Sequence, residues 1–372
     1  MRKVKFDIQA FQRMEYGGIP SYFIELARHI NLQDPSEFRV VQDGMLTSNA
    51  DLRANSFFPI YFNSRLVRPV AKFVNPRISR IKDYDLIHST YYHESFLKKI
   101  PVNRHIVTIH DMIPEDFPEH FGGSNPHQAK SKYLHKSSAV ICVSEYTKNR
   151  LLVHFPWLDK DSVFVVHHGS KFKSTKKDVS ARSSRRKSKS SSKTFRILYV
   201  GSRLGYKNFQ VLLKAGNLLV NNGLKFEIIC VGGGLFSESE VEQIHDYGLK
   251  DAMHQIKASG SELEKLYLSS DCHITTSLAE GFGLPLLEAM SLGCPTIISS
   301  AEALQEVSGG SSLVFKPSDH SELANHIRSL AESLELADHK AELGLLRSRK
   351  FNWDSTATQT IAIYNHVLET CQ

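Results

Sequence analysis

Residues 272–292 constrain this chain more than any other stretch. Cys272-His-Ile-Thr-Thr276 is a short apolar run, and Glu280-Gly-Phe-Gly-Leu-Pro-Leu-Leu-Glu288 follows it, continuing through Ala289, Met290 and Leu292. The first run has the length and character of a buried strand. Gly281 and Gly283 let backbone pass close to a ligand with no Cβ in the way. Pro285 suits a first helical turn, where its missing N–H costs nothing. The order predicts strand, glycine turn and helix start in succession, the repeating unit of an α/β domain. Unpaired N–H groups at such a start, with the positive end of the helix dipole, form an anion site. Glu280 stands just before that site and Glu288 just after it. Such a pair suits a ligand with a diphosphate in its middle and hydroxyls at both ends. Taken alone, the two acids read equally well as a loop charge and a first-turn acid.

The same unit recurs towards the N-terminus. Val4-Lys-Phe-Asp-Ile8 alternates as a strand, Gly17 and Gly18 precede Pro20, and Ser21–Ile30 has helical spacing. Four more strand-like runs, 85–88, 105–110, 139–143 and 163–166, end beside polar residues. Ligands of open parallel sheets collect at the carboxyl ends of strands, which makes His88, His110, Asp111 and Ser144 candidates. With 18 His in the chain, a strand-end His is as commonly a satisfied core residue. Asp111 either orients a ring or caps a turn, Ser144 reads as a helix cap, and His167 and His168 mark the end of the first domain.

In the second half, Thr194–Val200 predicts a strand, followed by Gly201-Ser-Arg-Leu-Gly-Tyr-Lys207 and a helix over 208–219. Arg203 and Lys207 flank a glycine turn at a helix start, where cations add to the dipole in holding a diphosphate. Lys225–Val231 is the next strand and ends in Gly232-Gly-Gly234. That triplet invites a nicotinamide-cofactor reading, which fails: the strand is not the first of its domain and no full Gly-x-Gly-x-x-Gly follows. Pro295–Ser299 is a further buried strand, 323–334 a helix, and Phe351-Asn-Trp-Asp354 precedes an amphipathic stretch to Leu368.

A chain of 372 residues has room for two such domains. No run reaches transmembrane length, and the opening Met1-Arg-Lys-Val-Lys-Phe enters a strand pattern directly, predicting no signal peptide. The five Cys have neither disulfide nor zinc spacing, and a cytoplasmic location is expected. Between Lys171 and Lys193 ten Lys and Arg stand against Asp178 alone, so the net charge of +7 comes from one segment and the remainder is near −2. A near-neutral body argues against nucleic acid as a partner. The segment 173–193 is either a polybasic attractor for anionic lipid headgroups or a flexible insertion with no partner.

The string from Glu280 to Glu288, with its continuation Ala289-Met-Ser-Leu-Gly-Cys-Pro295, resembles the Glu-x7-Glu motif of the retaining family 4 glycosyltransferases. Thr108-Ile-His-Asp-Met-Ile-Pro114, the Gly17-Gly18 pair and the Gly201–Phe209 segment resemble the same family. Ala303-Leu-Gln-Glu-Val307 is similar to the family's Pro-Glu-Val turn, with Gln305 in the place of proline, and His254–Gly260 lacks the family's aromatic and glycine in register. The resemblance implies an α/β chain of GT-B fold, two Rossmann-like doubly wound domains facing a cleft. They would be an acceptor domain 1–172, a basic linker 173–194, a donor domain 195–350, and a last helix, 351–372, crossing back.

By resemblance the activity is metal-independent transfer of a sugar, with retention, from a nucleotide diphosphate to a saccharide or lipid-linked saccharide hydroxyl. Asp7-Ile-Gln-Ala-Phe11 and Tyr206-Lys-Asn-Phe209 look like mannosyltransferase-like members that build bacterial surface polysaccharides, which implies GDP-mannose and the cytosolic membrane face. Glu280 and the backbone of Gly281, Phe282, Gly283 and Leu284 would address the donor sugar and phosphates, and Glu288 the ribose. Arg203 and Lys207 would take the diphosphate, and Gly17 and Gly18 would lie beneath it. His110 would stand near the reacting sugar. No cofactor and no metal are expected. Asp83-Tyr-Asp85 and Asp159-Lys-Asp161 have metal-type spacing but precede strands. The alternatives are a nucleotide-sugar epimerase, a sucrose or glycogen synthase type enzyme, and a non-catalytic nucleotide-sugar-binding scaffold.

Overall fold

The computed structural model describes every residue except 14–16, 34–35, 43–44, 48–59, 64–82, 99, 102, 124, 176–193 and 371–372. Most of the basic segment therefore lies outside the described residues, as does Glu15. The chain divides into two compact units, Met1–Gly169 with Asn352–Gln372, and Ser170–Phe351.

The first unit carries β1 (Arg2–Phe6), β2 (Phe38–Gln42), β3 (Met45–Thr47), β4 (Ile60–Asn63), β5 (Leu86–Ser89), β6 (His105–Ile109), β7 (Ala139–Cys142) and β8 (Val163–Val165). Six of these form a parallel sheet in the order β2-β1-β5-β6-β7-β8, and β3 pairs separately with β4. β5, β6 and β7 are buried at every residue, as strands covered on both faces must be. Helix Gly18–Gln33 turns Tyr22, Phe23, Leu26, Ala27 and Ile30 inwards. The closing helix Trp353–Thr370 adds Ala357, Ile363, Tyr364 and Val367 to the same core.

The second unit carries β9 (Phe195–Val200), β10 (Phe226–Val231), β11 (Met253–Ile256), β12 (Cys272–Thr275), β13 (Thr296–Ser299) and β14 (Leu313–Phe315). Its sheet is parallel in the order β11-β10-β9-β12-β13-β14, a doubly wound arrangement in which the strand order reverses between β9 and β12. There Ile197 pairs with Cys272 and Tyr199 with Ile274. The corresponding reversal in the first sheet lies between β1 and β5, where Val4 pairs with Leu86.

Strands β2, β11 and β14 and helix Glu238–Asp246 were not read from the sequence, and two further departures have a clear physical reason. Ala303–Val307, expected as a turn, lies inside helix Glu302–Ser308, which buries Ala303, Leu304 and Val307. Helix Leu334–Ser348 was not expected at all. It buries Ala337, Ala341, Gly344 and Ser348, a stripe at helical spacing built from residues too small to register as an apolar face. The small residues allow close approach: a Cβ on Gly344 would stand 3.4 Å from Met290 Cγ. Among the described residues, no helix is long and apolar enough to cross a membrane.

Candidate functional site

In the second unit, the turns that follow β9 and β12 are stitched together at the reversal of strand order. Leu278 N donates to Tyr206 O at 2.7 Å, and Thr276 Oγ1 donates to Lys207 O at 2.6 Å. These bonds bring Lys207 Nζ to 2.6 Å from Glu280 Oε1. Ser277 Oγ donates to the same oxygen, also at 2.6 Å, and Ser277 O in turn accepts from Ser299 Oγ. Both bonds fall on Oε1, so among the described residues Oε2 is left for another donor. Helix Leu284–Ser291 begins directly afterwards, with Gly283 at φ 97° as its N-cap and Pro285 in its first turn. Gly283 has no room for a side chain: a Cβ there would stand 2.6 Å from Leu304 Cδ2. Phe282 is buried, with its ring edge-on to Phe351 at 5.7 Å.

Arg203 is held differently from Lys207. Its side chain is buried, and Nε donates to Glu240 Oε1 at 2.7 Å. The two terminal nitrogens donate to Gly232 O at 2.7 Å and to Gly234 O and Leu235 O at 3.1 Å each, while the guanidinium lies 4.8 Å from the Phe236 ring centroid. Gly232-Gly-Gly234 thus wraps a guanidinium, and a Cβ on Gly233 would come within 2.9 Å of it. Glu240 also closes a capping box with Ser237 at the start of helix Glu238–Asp246. The Ser237-x-x-Glu240 spacing was the readable signal for that residue, and sequence reasoning passed over it.

Glu288 points inwards. Tyr267 OH donates to its Oε2 at 3.0 Å, and Lys171 Nζ stands 3.4 Å from Oε1. Burial raises its pKa, an effect that Lys171 and then Tyr267 oppose. Neither partner was read from the sequence, where Tyr267 counted only as a helical residue.

In the first unit, Gly17 and Gly18 lie at the start of helix Gly18–Gln33. His110 follows β6 and packs edge-on to the rings of Tyr22 at 5.2 Å and Phe23 at 5.8 Å. Its Nε2 is buried with no hydrogen-bond partner among the described residues. Burial, with His127 and Lys130 nearby, pushes its pKa down to about 3, so the ring is neutral at neutral pH. The other strand-end candidates have structural work. His88 Nδ1 and Nε2 reach Tyr364 OH and Thr108 Oγ1, both at 2.7 Å, which makes it a satisfied core residue. Asp111 Oδ1 accepts from Ile113 N at 3.1 Å, capping a turn, and Ser144 caps helix Glu145–His154.

The paired aspartates lie at the amino ends of their strands. Asp85 Oδ2 accepts from Lys3 N at 2.6 Å ahead of β5, and Asp159 Oδ1 accepts from Asp161 N at 3.1 Å ahead of β8. Among the described residues, no group of three or more His, Cys, Asp or Glu is placed to hold a metal ion.

Residues 180–343 match the family profile of glycosyl transferases group 1, and residues 16–170 match that of Glycosyltransferase Family 4. O-antigen chain mannosyltransferase B of Escherichia coli is 31% identical over 172 residues, 45% of each chain. O-antigen chain mannosyltransferase RfbU of Salmonella typhimurium is 26% identical over 241 residues, 63% of each chain. The chain therefore spans about half the length of these relatives. The crystal structure of Anabaena Alr3699/HepE in complex with UDP and glucose superposes with a TM-score of 0.73 at 20% identity, covering 97% of this chain and 98% of that one. Two matched regions, one in each of two units built on parallel sheets, place the chain in glycosyltransferase family 4, the glycosyl transferases group 1, with the GT-B fold.

Proposed function

We propose that the chain is a retaining, metal-independent glycosyltransferase of glycan biosynthesis. It moves a sugar, with mannose from GDP-mannose as the best fit, onto a hydroxyl of a saccharide or lipid-linked saccharide. The observation that carries the reading is the 2.6 Å contact of Lys207 with Glu280 at the strand-order reversal, just ahead of the helix start at Gly283. A diphosphate there meets the helix N–H groups and the Lys207 ammonium. As the bond to the sugar breaks, negative charge grows on the leaving phosphate, and fixed donors lower that barrier without reorganising. Arg203 adds fixed positive charge and holds the neighbouring loop. Glu280 receives a sugar hydroxyl on Oε2, and Glu288 receives the ribose.

His110, neutral and with Nε2 unpartnered among the described residues, orients a hydroxyl of the reacting sugar, and Gly17 and Gly18 let the ligand approach the helix start behind them. No side chain is assigned as a covalent nucleophile, and the departing phosphate takes the acceptor proton on the same face. The basic segment 173–193 draws a cytoplasmic enzyme to anionic headgroups. The O-antigen mannosyltransferase relatives favour mannose. The UDP and glucose held by the Anabaena protein keep a UDP-hexose as the second donor reading.

The test is turnover of GDP-mannose, UDP-glucose, UDP-N-acetylglucosamine and ADP-glucose with a polyprenyl-diphosphate saccharide acceptor in EDTA, with product anomers read by NMR. Lys207→Ala, which removes a donor to the leaving phosphate, and Glu280→Ala, which removes the acceptor that holds Lys207 and the sugar hydroxyl, should each lower turnover by about 100-fold or more, with circular dichroism unchanged. Full activity in either variant removes the site assignment. An isomerised free sugar nucleotide identifies an epimerase, and binding with no turnover identifies a scaffold.

A further inference from the structure

Residues 170–174 form a strap fastened on both sides of Lys171. Ser170 Oγ donates to Phe172 O at 3.0 Å and accepts from Phe172 N at 3.2 Å. Ser174 N donates to Ser291 O at 3.2 Å, at the end of the helix that carries Glu288. Phe172 is buried in one cluster with Leu198, Tyr267, Ala289 and Leu292, its ring 6.2 Å from that of Tyr267. The fastened backbone fixes the point from which the Lys171 side chain extends. Its Nζ lies 5.0 Å from the Phe172 ring centroid and 3.4 Å from Glu288 Oε1, while Tyr267 OH holds Oε2 at 3.0 Å.

A carboxylate has about four lone-pair sites, two on each oxygen. Lys171 and Tyr267 engage one on each, which leaves one acceptor site on each oxygen of a carboxylate held at both ends. Two adjacent acceptors fit two adjacent hydroxyls. We infer that Lys171 is a positioning residue that, together with Tyr267, makes Glu288 a receptor for a vicinal diol, and so makes the donor site selective for ribonucleotides over deoxyribonucleotides. The inference rests on the reading that a nucleotide binds beside Glu288, and it adds the residue that tunes this contact.

Charge reinforces the geometry. The titratable groups facing Glu288 are Lys171 from the strap and Tyr267 from helix Ser261–Ser269. With the ammonium removed, burial acts on Glu288 with less opposition, the carboxyl takes up a proton as pH falls, and a protonated oxygen offers the diol a competing donor.

The experiment is isothermal titration calorimetry of the full chain with GDP and 2′-deoxy-GDP, and with UDP and 2′-deoxy-UDP, at pH 6, 7 and 8. Wild type should prefer the ribonucleotide at every pH. Lys171→Met should weaken GDP or UDP binding about tenfold, the effect of losing one charge-assisted partner. It should also lose most of the ribose preference and bind more tightly from pH 6 to pH 8, whereas Lys171→Arg should keep wild-type behaviour. The Lys171 side chain is 37% exposed, and circular dichroism checks that these variants fold. Ribonucleotide binding in Lys171→Met as tight as in wild type, with the preference intact, overturns the inference and leaves the donor site standing. Failure of wild type to bind either nucleotide removes the donor-site reading and this inference together.

Discussion

Gly283→Ala tests whether the turn ahead of helix Leu284–Ser291 is as constrained as its geometry states. Two costs add. Alanine at φ 97° and ψ 57° occupies backbone space that L-residues avoid, at about 1–2 kcal/mol. The new methyl would stand 2.6 Å from Leu304 Cδ2, and Leu304 is wholly buried, so overpacking contributes about 1–3 kcal/mol. A total of about 2–5 kcal/mol in a domain of this size lowers its Tm by on the order of 10 °C. The assay is a thermal melt of the full chain followed at 222 nm, repeated in a Leu304→Ala background. There the methyl has space, so the penalty of Gly283→Ala should shrink to the backbone part, a coupling of about 1–3 kcal/mol. A Gly283→Ala Tm within about 1 °C of wild type refutes the reasoning. An undiminished penalty in the Leu304→Ala background refutes the steric half of it.

Arg203→Lys should fail to replace arginine, because an ammonium cannot reach Glu240 and four carbonyls at once. A loss of about 3–5 kcal/mol is expected in the second unit, read as a fall in denaturation midpoint, and a wild-type midpoint would count against it. Acid should open the first unit before the second. Burial lowers the pKa of His88, His105, His110 and His168, to about 3 for His105 and His110, whereas His273 is the one such histidine among the described residues of the second unit. Unfolded histidines bind protons below about pH 6.5. Stability is therefore full above that value and falls as pH drops towards 3, by about 1.4 kcal/mol per pH unit for each group. Trp157 and Trp353, the chain's two tryptophans, both lie in that first unit, and emission that stays flat from pH 7 to pH 4 in mild urea would contradict the prediction. Neutralising Arg182, Arg185, Arg186 and Lys187 should reduce sedimentation with anionic vesicles at low salt, and unchanged binding would remove the membrane role.

Much of the architecture was legible because it is written locally. Several of the buried strands are short apolar runs, and at some of them glycines or a proline mark the turn into a helix, as at Gly17–Pro20 and Gly281–Pro285. Helix Leu334–Ser348 escaped because its inner face is Ala337, Ala341, Gly344 and Ser348, and small residues carry almost no hydropathy signal. The site residues were legible as types at positions, and their partners were not. His88 stood at a strand end like His110, yet its ring is satisfied by Tyr364, 276 residues away. Lys207 and Arg203 looked like one pair of cations, but Glu280 and Glu240 lie 73 and 37 residues further on. Local pattern cannot state which distant acceptor each cation meets.

The grip of Arg203 on residues 232–235 has a consequence for how this family member can vary. Four of its bonds go to main-chain carbonyls, of Gly232, Gly233, Gly234 and Leu235, and a carbonyl is the one group every amino acid supplies. The loop's path is thereby uncoupled from most of its side chains. Leu235, 84% exposed, can be exchanged without altering the path that presents it. Mutational libraries at Leu235 should return folded proteins at high frequency, and libraries at Arg203 very few. Evolution has the same freedom, with new chemistry admissible at the loop tip while one guanidinium keeps the frame.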